Sequence, residues 1–152
     1  MVIMIMFVVL FRSLYLAIIG MIPNLLAASV VLGTMGWMKV PLDIMTITVA
    51  AISVGMAVDN TIHYIHRFKL EFRKTSNYEV SMKNSHNTIG RAMFYTSTTI
   101  IIGFLVLVTS NFNPTVYFGL FISLAMFMAL MGALTLLPQL LMILKPLGKE
   151  ES

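Results

Sequence analysis

No cysteine occurs among the 152 residues, which excludes disulfides and thiolate metal sites and leaves redox compartment unread. Charge is scarce as well. Asp, Glu, Lys and Arg make up 11% of the chain, against about 25% in soluble domains. Tryptophan occurs once, at Trp37. Strand-style alternation is missing, which argues against a membrane barrel. What is present instead is apolar: 59% of the residues are hydrophobic, in runs of helix length. These features predict an integral membrane protein, an all-α polytopic helix bundle rather than a soluble domain. The 14 methionines follow no metal-binding pattern and suit an adaptable or lipid-facing surface. The net charge of +4 does not point to nucleic acid, because the basic residues lie between hydrophobic segments, where they set topology.

Five membrane segments are predicted, at about 1–11, 14–36, 44–66, 92–110 and 114–144, with a cytoplasmic amphipathic loop at 67–91 and a cytoplasmic tail at 145–152. The first segment would reach only about 16 Å, half a bilayer core, so we expect Met1 to be an internal position of a longer protein. No basic leader or small-residue cleavage site is visible there. Pro23 should kink the second segment and Pro138 the last. Asp43 suits the N-cap of the third helix. A break is expected at Thr75-Ser76-Asn77, followed by a short helix from Tyr78 to about Thr88. Asn113 is expected to cap the last helix, with Pro114 at its first position. With the 67–91 loop inside, Arg12, the loop and the tail put nine of the ten basic residues in the cytoplasm, and only Lys39 outside.

The run from Ile44 contains no charge until Asp59. A carboxylate inside a membrane helix costs about 2.5–3.5 kcal/mol on insertion scales, so it is a functional candidate by default. Ala51, Gly55, Asp59 and His63 are each four apart and form one helix stripe. The small residues would admit a neighbouring helix, and the acid and imidazole would then point into the bundle rather than at lipid. The fourth segment is polar at Tyr95-Thr96-Ser97-Thr98-Thr99, and Ala92, Thr96, Thr99 and Gly103 share a face. Hydroxyls of this kind usually bond their own preceding carbonyls. As antiparallel sequence neighbours, the third and fourth segments could set the Asp59 and Thr96/Thr99 stripes face to face.

Several stretches together resemble the resistance–nodulation–division (RND) superfamily. They are Pro23-Asn24-Leu25-Leu26, Pro41-Leu42-Asp43-Ile44, the run Gly55-Met56-Ala57-Val58-Asp59-Asn60-Thr61-Ile62-His63-Tyr64, and His66-Arg67-Phe68. Gly90-Arg91-Ala92, Thr96-Ser97-Thr98-Thr99, Gly103-Phe104 and Leu137-Pro138 continue the match. The nearest branch is the mycobacterial-membrane-protein-large (MMPL) type of lipid exporter, with its sterol-sensing-domain relatives. The resemblance implies a twelve-helix transporter of two similar halves, of which this chain would be the last five helices of the C-terminal half. It implies proton-driven export of lipids or other hydrophobic compounds, with Asp59 at the proton site and Thr99 a hydroxyl of the relay. Where the family usually has tyrosine or a second aspartate after the acid, Asn60 follows. Where its final helix often has an aspartate before Leu-Pro, Thr135 stands nearby.

The expected proton relay is Asp59, Asn60, His63, Thr96 and Thr99, with Ala51, Gly55 and Gly103 as helix-packing residues. Burial would raise the Asp59 pKa towards neutrality, where His63 also titrates. No cofactor or metal is expected; the energy source would be the proton gradient. Expected partners are the rest of the transporter with its extracytoplasmic domains, membrane lipids and a hydrophobic substrate; a homo-oligomer stays open. The location expected is a bacterial inner (plasma) membrane. A non-transporting lipid sensor or scaffold is the alternative, but would need no titratable acid in the bundle. An intramembrane metalloenzyme using His63, His66 and Asp59 ranks last, with one cluster and His66 at the interface.

Overall fold

A computed structural model describes residues 2–40 and 43–147. Seven α-helices follow one another, and no strand occurs among the described residues: α1 (Val2–Phe11), α2 (Leu14–Trp37), α3 (Ile44–Thr75), α4 (Tyr78–Ser85), α5 (Arg91–Leu105), α6 (Asn113–Met131) and α7 (Leu137–Leu144). A π-helical turn, His86–Gly90, joins α4 to α5, and a second, Gly132–Leu136, joins α6 to α7. Val106–Thr109 closes α5 as a 3-10 turn. The protein is therefore an all-α membrane helix bundle. Three stretches among the described residues are long and apolar enough to cross a bilayer: Leu14–Trp37, Tyr78–Thr109 and Asn113–Leu144. The 10 residues of α1 are too few for a crossing; the 32 residues of α3 are long enough for one but less apolar, with Asp59 part-way along and a charged C-terminal extension.

Local chemistry explains the breaks. Arg12 takes a left-handed φ of 51°, and the Lys69 ammonium donates to the Phe11 carbonyl at 3.1 Å, satisfying an orphan acceptor at the end of α1. Asp43 starts α3 with a capping box: its carboxylate accepts from Thr46 N at 2.8 Å, and its own N–H donates to the Thr46 hydroxyl at 2.8 Å. Ser76 ends α3 in the left-handed region, and Asn77 caps α4 by accepting from Glu79 N and Val80 N. The start of α6 differs from expectation by one residue. Phe112 occupies the cap, its carbonyl accepting from Thr115 N and Val116 N, and Asn113 is already helical. Pro114, lacking an N–H, is tolerated anywhere in that first turn. The short helix after Tyr78 does not end near Thr88 but runs through the π turn into α5.

α6 is the centre, packing against α2, α3 and α5. The bundle narrows where Ala27, Ala57 and Ala129 of α2, α3 and α6 meet, all at most 4% exposed. Gly132 sits against Pro23, and Gly20 against Thr61 and Ile65, at distances that leave little room for a methyl group. α2 continues through Pro23, and the Asn24 amide adds a bond to the Gly20 carbonyl at 3.0 Å beside the position where the proline lacks a donor. At one end of the bundle, Phe7, Phe11, Leu16, Tyr64, Phe68, Phe72, Tyr78 and Leu141 form an aromatic-rich core. There the Leu147 N–H donates to the Tyr78 hydroxyl at 2.8 Å, and Lys145 lies over the Tyr78 ring. These contacts gather Arg12, the α3–α4 hairpin and Lys145 at one end, while Lys39 and Asn111 terminate helices that run to the other.

The hairpin turns on Glu71, buried at its carboxylate. Arg67 approaches at 3.0 Å and Lys74 at 3.3 Å, and the Asn84 amide donates across from α4 at 3.3 Å. Burial works to raise its pKa, but those hydrogen bonds and the charges of Lys74 and Arg67 outweigh it and hold the carboxyl below the ordinary glutamate range.

Candidate functional site

The inner face of α3 carries Ala57, Val58, Thr61, Tyr64, Ile65 and Phe68, all buried against α2, α6 and the hairpin core. Their spacing of three and four puts residue 59 about 200° round the helix from residue 57. Asp59 therefore faces outward. The expectation that it points into the bundle is corrected for this chain: its side chain is 69% exposed and that of His63 59% exposed. The two lie one turn apart, His63 Nε2 at 3.4 Å from Asp59 Oδ1. Ala51 and Gly55 are exposed on the same stripe. A methyl group added at Gly55 or Gly103 would meet nothing within 4 Å, so the glycines that pack within the chain are Gly20, Gly90, Gly119 and Gly132 instead.

Asp59 stands on a ridge between two grooves. One, about 330 Å³, is bounded by Ile3 and Met6 of α1 with Gly55, Val58 and Ile62 of α3. The other, about 290 Å³, runs towards α5 and is lined by Asp59, Asn60, His63, Ala92, Met93, Thr96, Ile100 and Met126 among others. Thr96 thus shares a groove with Asp59, Asn60 and His63. The geometry differs from the expected face-to-face pairing, because α5 packs on α6 rather than on α3, and Met126 of α6 helps to line the groove between them. Thr99 lies off this groove, in another with Tyr95, Thr96 and Ile100. The hydroxyls turn inward on their own helix: Thr96 donates to Ala92 O and Met93 O at 3.1 Å each, and Thr99 to Tyr95 O at 2.9 Å.

Asn60 is unlike its neighbours. It is 6% exposed, and its side-chain nitrogen is buried with no partner among the described residues. A buried donor left unmade costs about 1–3 kcal/mol. Directly behind the site, the Thr61 hydroxyl bonds both Asn24 Oδ1 and Ala57 O at 3.0 Å, a polar clasp between α2 and α3. Sequence reasoning singled out Pro23-Asn24 and Thr61 separately but missed the pairing, since nothing along the chain signals a contact 37 residues apart. It also missed Met93, Ile100 and Met126, ordinary apolar residues in apolar helices. Among the described residues no three His, Asp or Glu side chains gather as a metal site.

The arrangement sets a carboxylate and an imidazole one turn apart, beside a buried amide nitrogen without a partner among the described residues, on a face the chain leaves uncovered. Comparison with known proteins agrees with the membrane reading. The MMPL family profile matches residues 1–150. A protein of Methanocaldococcus jannaschii, named only as a membrane protein, is 30% identical over 141 residues, 93% of this chain and 36% of the relative. The chain thus spans about a third of the length of that relative. No solved structure matches.

Proposed function

Because the chain belongs to the MMPL family, a family of membrane transporters, we propose that it is the membrane part of a proton-driven exporter of lipids or other hydrophobic compounds, with Asp59 taking up and releasing the proton. One observation carries this reading: the Asp59–His63 pair lies on a face that this chain leaves open, beside the buried Asn60 side-chain nitrogen, which has no partner among the described residues. The remainder of the same transporter is the partner that would close that face. Its approach is favoured by the small residues Ala51, Gly55 and Gly103, which give a neighbouring helix room. Closure would take Asp59 out of water, and re-opening would return it. That cycle needs two repeats moving against each other, so a single bundle would not suffice. The proton gradient would supply the energy without a cofactor. We place the hairpin end in the cytoplasm at the plasma membrane, supported by the clustering of Arg12, the hairpin cations and Lys145.

The test is Asp59→Asn in the full-length transporter, read as substrate export and proton uptake in vesicles. Export should fall by at least about tenfold, the size of effect that one essential proton-transfer group carries, with membrane abundance unchanged. Export that survives at the native rate overturns the assignment.

A further inference from the structure

The cations of the α3 extension divide into two sets. Arg67 and Lys74 share the single carboxylate of Glu71. On the other side of the same helix, His66, Lys69 and Arg73 recur at three- and four-residue spacing and face the end of α1, where Arg12 joins them. These four line a groove of about 230 Å³ that contains no acidic residue. Lys69 already donates to the Phe11 carbonyl, while Arg12 and Arg73 are exposed and make no ion pair among the described residues. The rim is apolar: Leu10 and Leu70 also line the groove, at 50% and 39% exposed, and α1 carries Val9 at 71% exposed just above. Cations concentrated where an apolar helix surface meets polar chain match the chemistry of an anionic lipid, whose phosphate and acyl chains separate at that same boundary.

We propose that this groove between the end of α1 and the polar extension of α3 binds the headgroup of an anionic phospholipid. The guanidinium groups of Arg12 and Arg73 hold the phosphate, bidentate geometry suiting arginine better than lysine. Lys69 and His66 add donors, and the exposed Leu10 and Leu70 side chains meet the first acyl methylenes. A volume of about 230 Å³ fits a headgroup rather than a whole lipid.

The experiment counts lipids retained by the full chain after release from nanodiscs of mixed phosphatidylglycerol and phosphatidylcholine, by native mass spectrometry. Both leaflets of a nanodisc are alike, so the result does not depend on which end of the protein is cytoplasmic or on Asp59. Phosphatidylglycerol should be retained in preference, and Arg12→Gln with Arg73→Gln should weaken that preference by roughly thirtyfold, about fivefold for each basic contact to an anionic headgroup that is removed. Lys83→Gln with Arg91→Gln removes the same charge elsewhere and should leave retention unchanged. An equal fall in that control, equal retention of the two lipids, or displacement by millimolar inorganic phosphate overturns the proposal. Should the double variant lose its helical circular dichroism, Arg73→Gln alone, on the exposed face of α3, decides: retention at the native level overturns the site, and a fall supports it.

Discussion

At the scale of the residue, two kinds of glycine stand in this chain. A methyl group at Gly119 would lie 2.5 Å from the Phe104 carbonyl oxygen and 2.8 Å from Leu107 Cβ, so α6 touches the end of α5 backbone to backbone. Gly119→Ala should destabilise the bundle by about 1–3 kcal/mol, the usual range for overpacking, measured as a lower midpoint of thermal unfolding in detergent. Gly55→Ala meets open space and should leave that midpoint unchanged or raise it, since alanine exceeds glycine in helix propensity by up to about 1 kcal/mol. In the full-length transporter, Gly55→Ala is instead expected to lower export, because the proposed partner helix approaches there. Native export in that variant would show that nothing packs on the Asp59 stripe. The stripe itself, Ala51, Gly55, Asp59 and His63, was legible from spacing alone. Its orientation was not. Thr61 and Tyr64 are no more apolar than their neighbours, and only the Asn24 and His86 contacts across the bundle reveal them as the inner face.

At the scale of the element, the breaks could be read because they depend on local chemistry: Asp43 caps α3, the chain turns at Ser76-Asn77, and α6 begins within one residue of the Asn113-Pro114 start expected. Helix pairing could not be read, because α6 is apolar on every side and gives no preferred face. That is why α5 was expected against α3 and lies instead on α6. The α3–α4 hairpin carries its own pH dependence. The Glu71 carboxyl is held below its unfolded value, so its contribution is complete above the ordinary glutamate pKa and is lost as pH falls through the depressed one. The protection of amides in the α3–α4 turn, with exchange corrected for its intrinsic pH dependence, should therefore hold at neutral pH and fall in acid. Glu71→Gln should remove most of that acid step, and a step of unchanged size in the variant would assign it to other carboxylates.

At the scale of the whole molecule, the absence of cysteine makes orientation directly measurable. Lys39→Cys and Lys83→Cys lie at opposite ends of the bundle. In intact cells a membrane-impermeant maleimide should label Lys39→Cys at once and Lys83→Cys only after lysis. The reverse pattern would invert the bundle and place the proposed lipid groove in the outer leaflet. The family and the helical class were legible across nearly the whole chain. The exposure of the Asp59 face was not, because it depends on how α3 packs on α2 and α6 rather than on spacing within α3.

The first π turn has a further consequence. Buried residues along the α4–α5 arm fall at Tyr78, Ser81, Ser85, Gly90, Met93 and Ser97, and the one interval of five, from Ser85 to Gly90, spans the first π turn. An interval of five in a ladder otherwise of threes and fours means that the arm holds one residue more than a plain α-helix between the same two contacts. The surplus keeps α4 and α5 in phase with two different neighbours, α4 with α3 and α5 with α6. A single-residue deletion inside His86–Gly90 would convert the turn to α-helix and preserve that phase. The same deletion a few residues later would turn one side of α5 by about 100° against α6. The chain should thus tolerate a change of length by one residue at this level without altering which residues line its grooves.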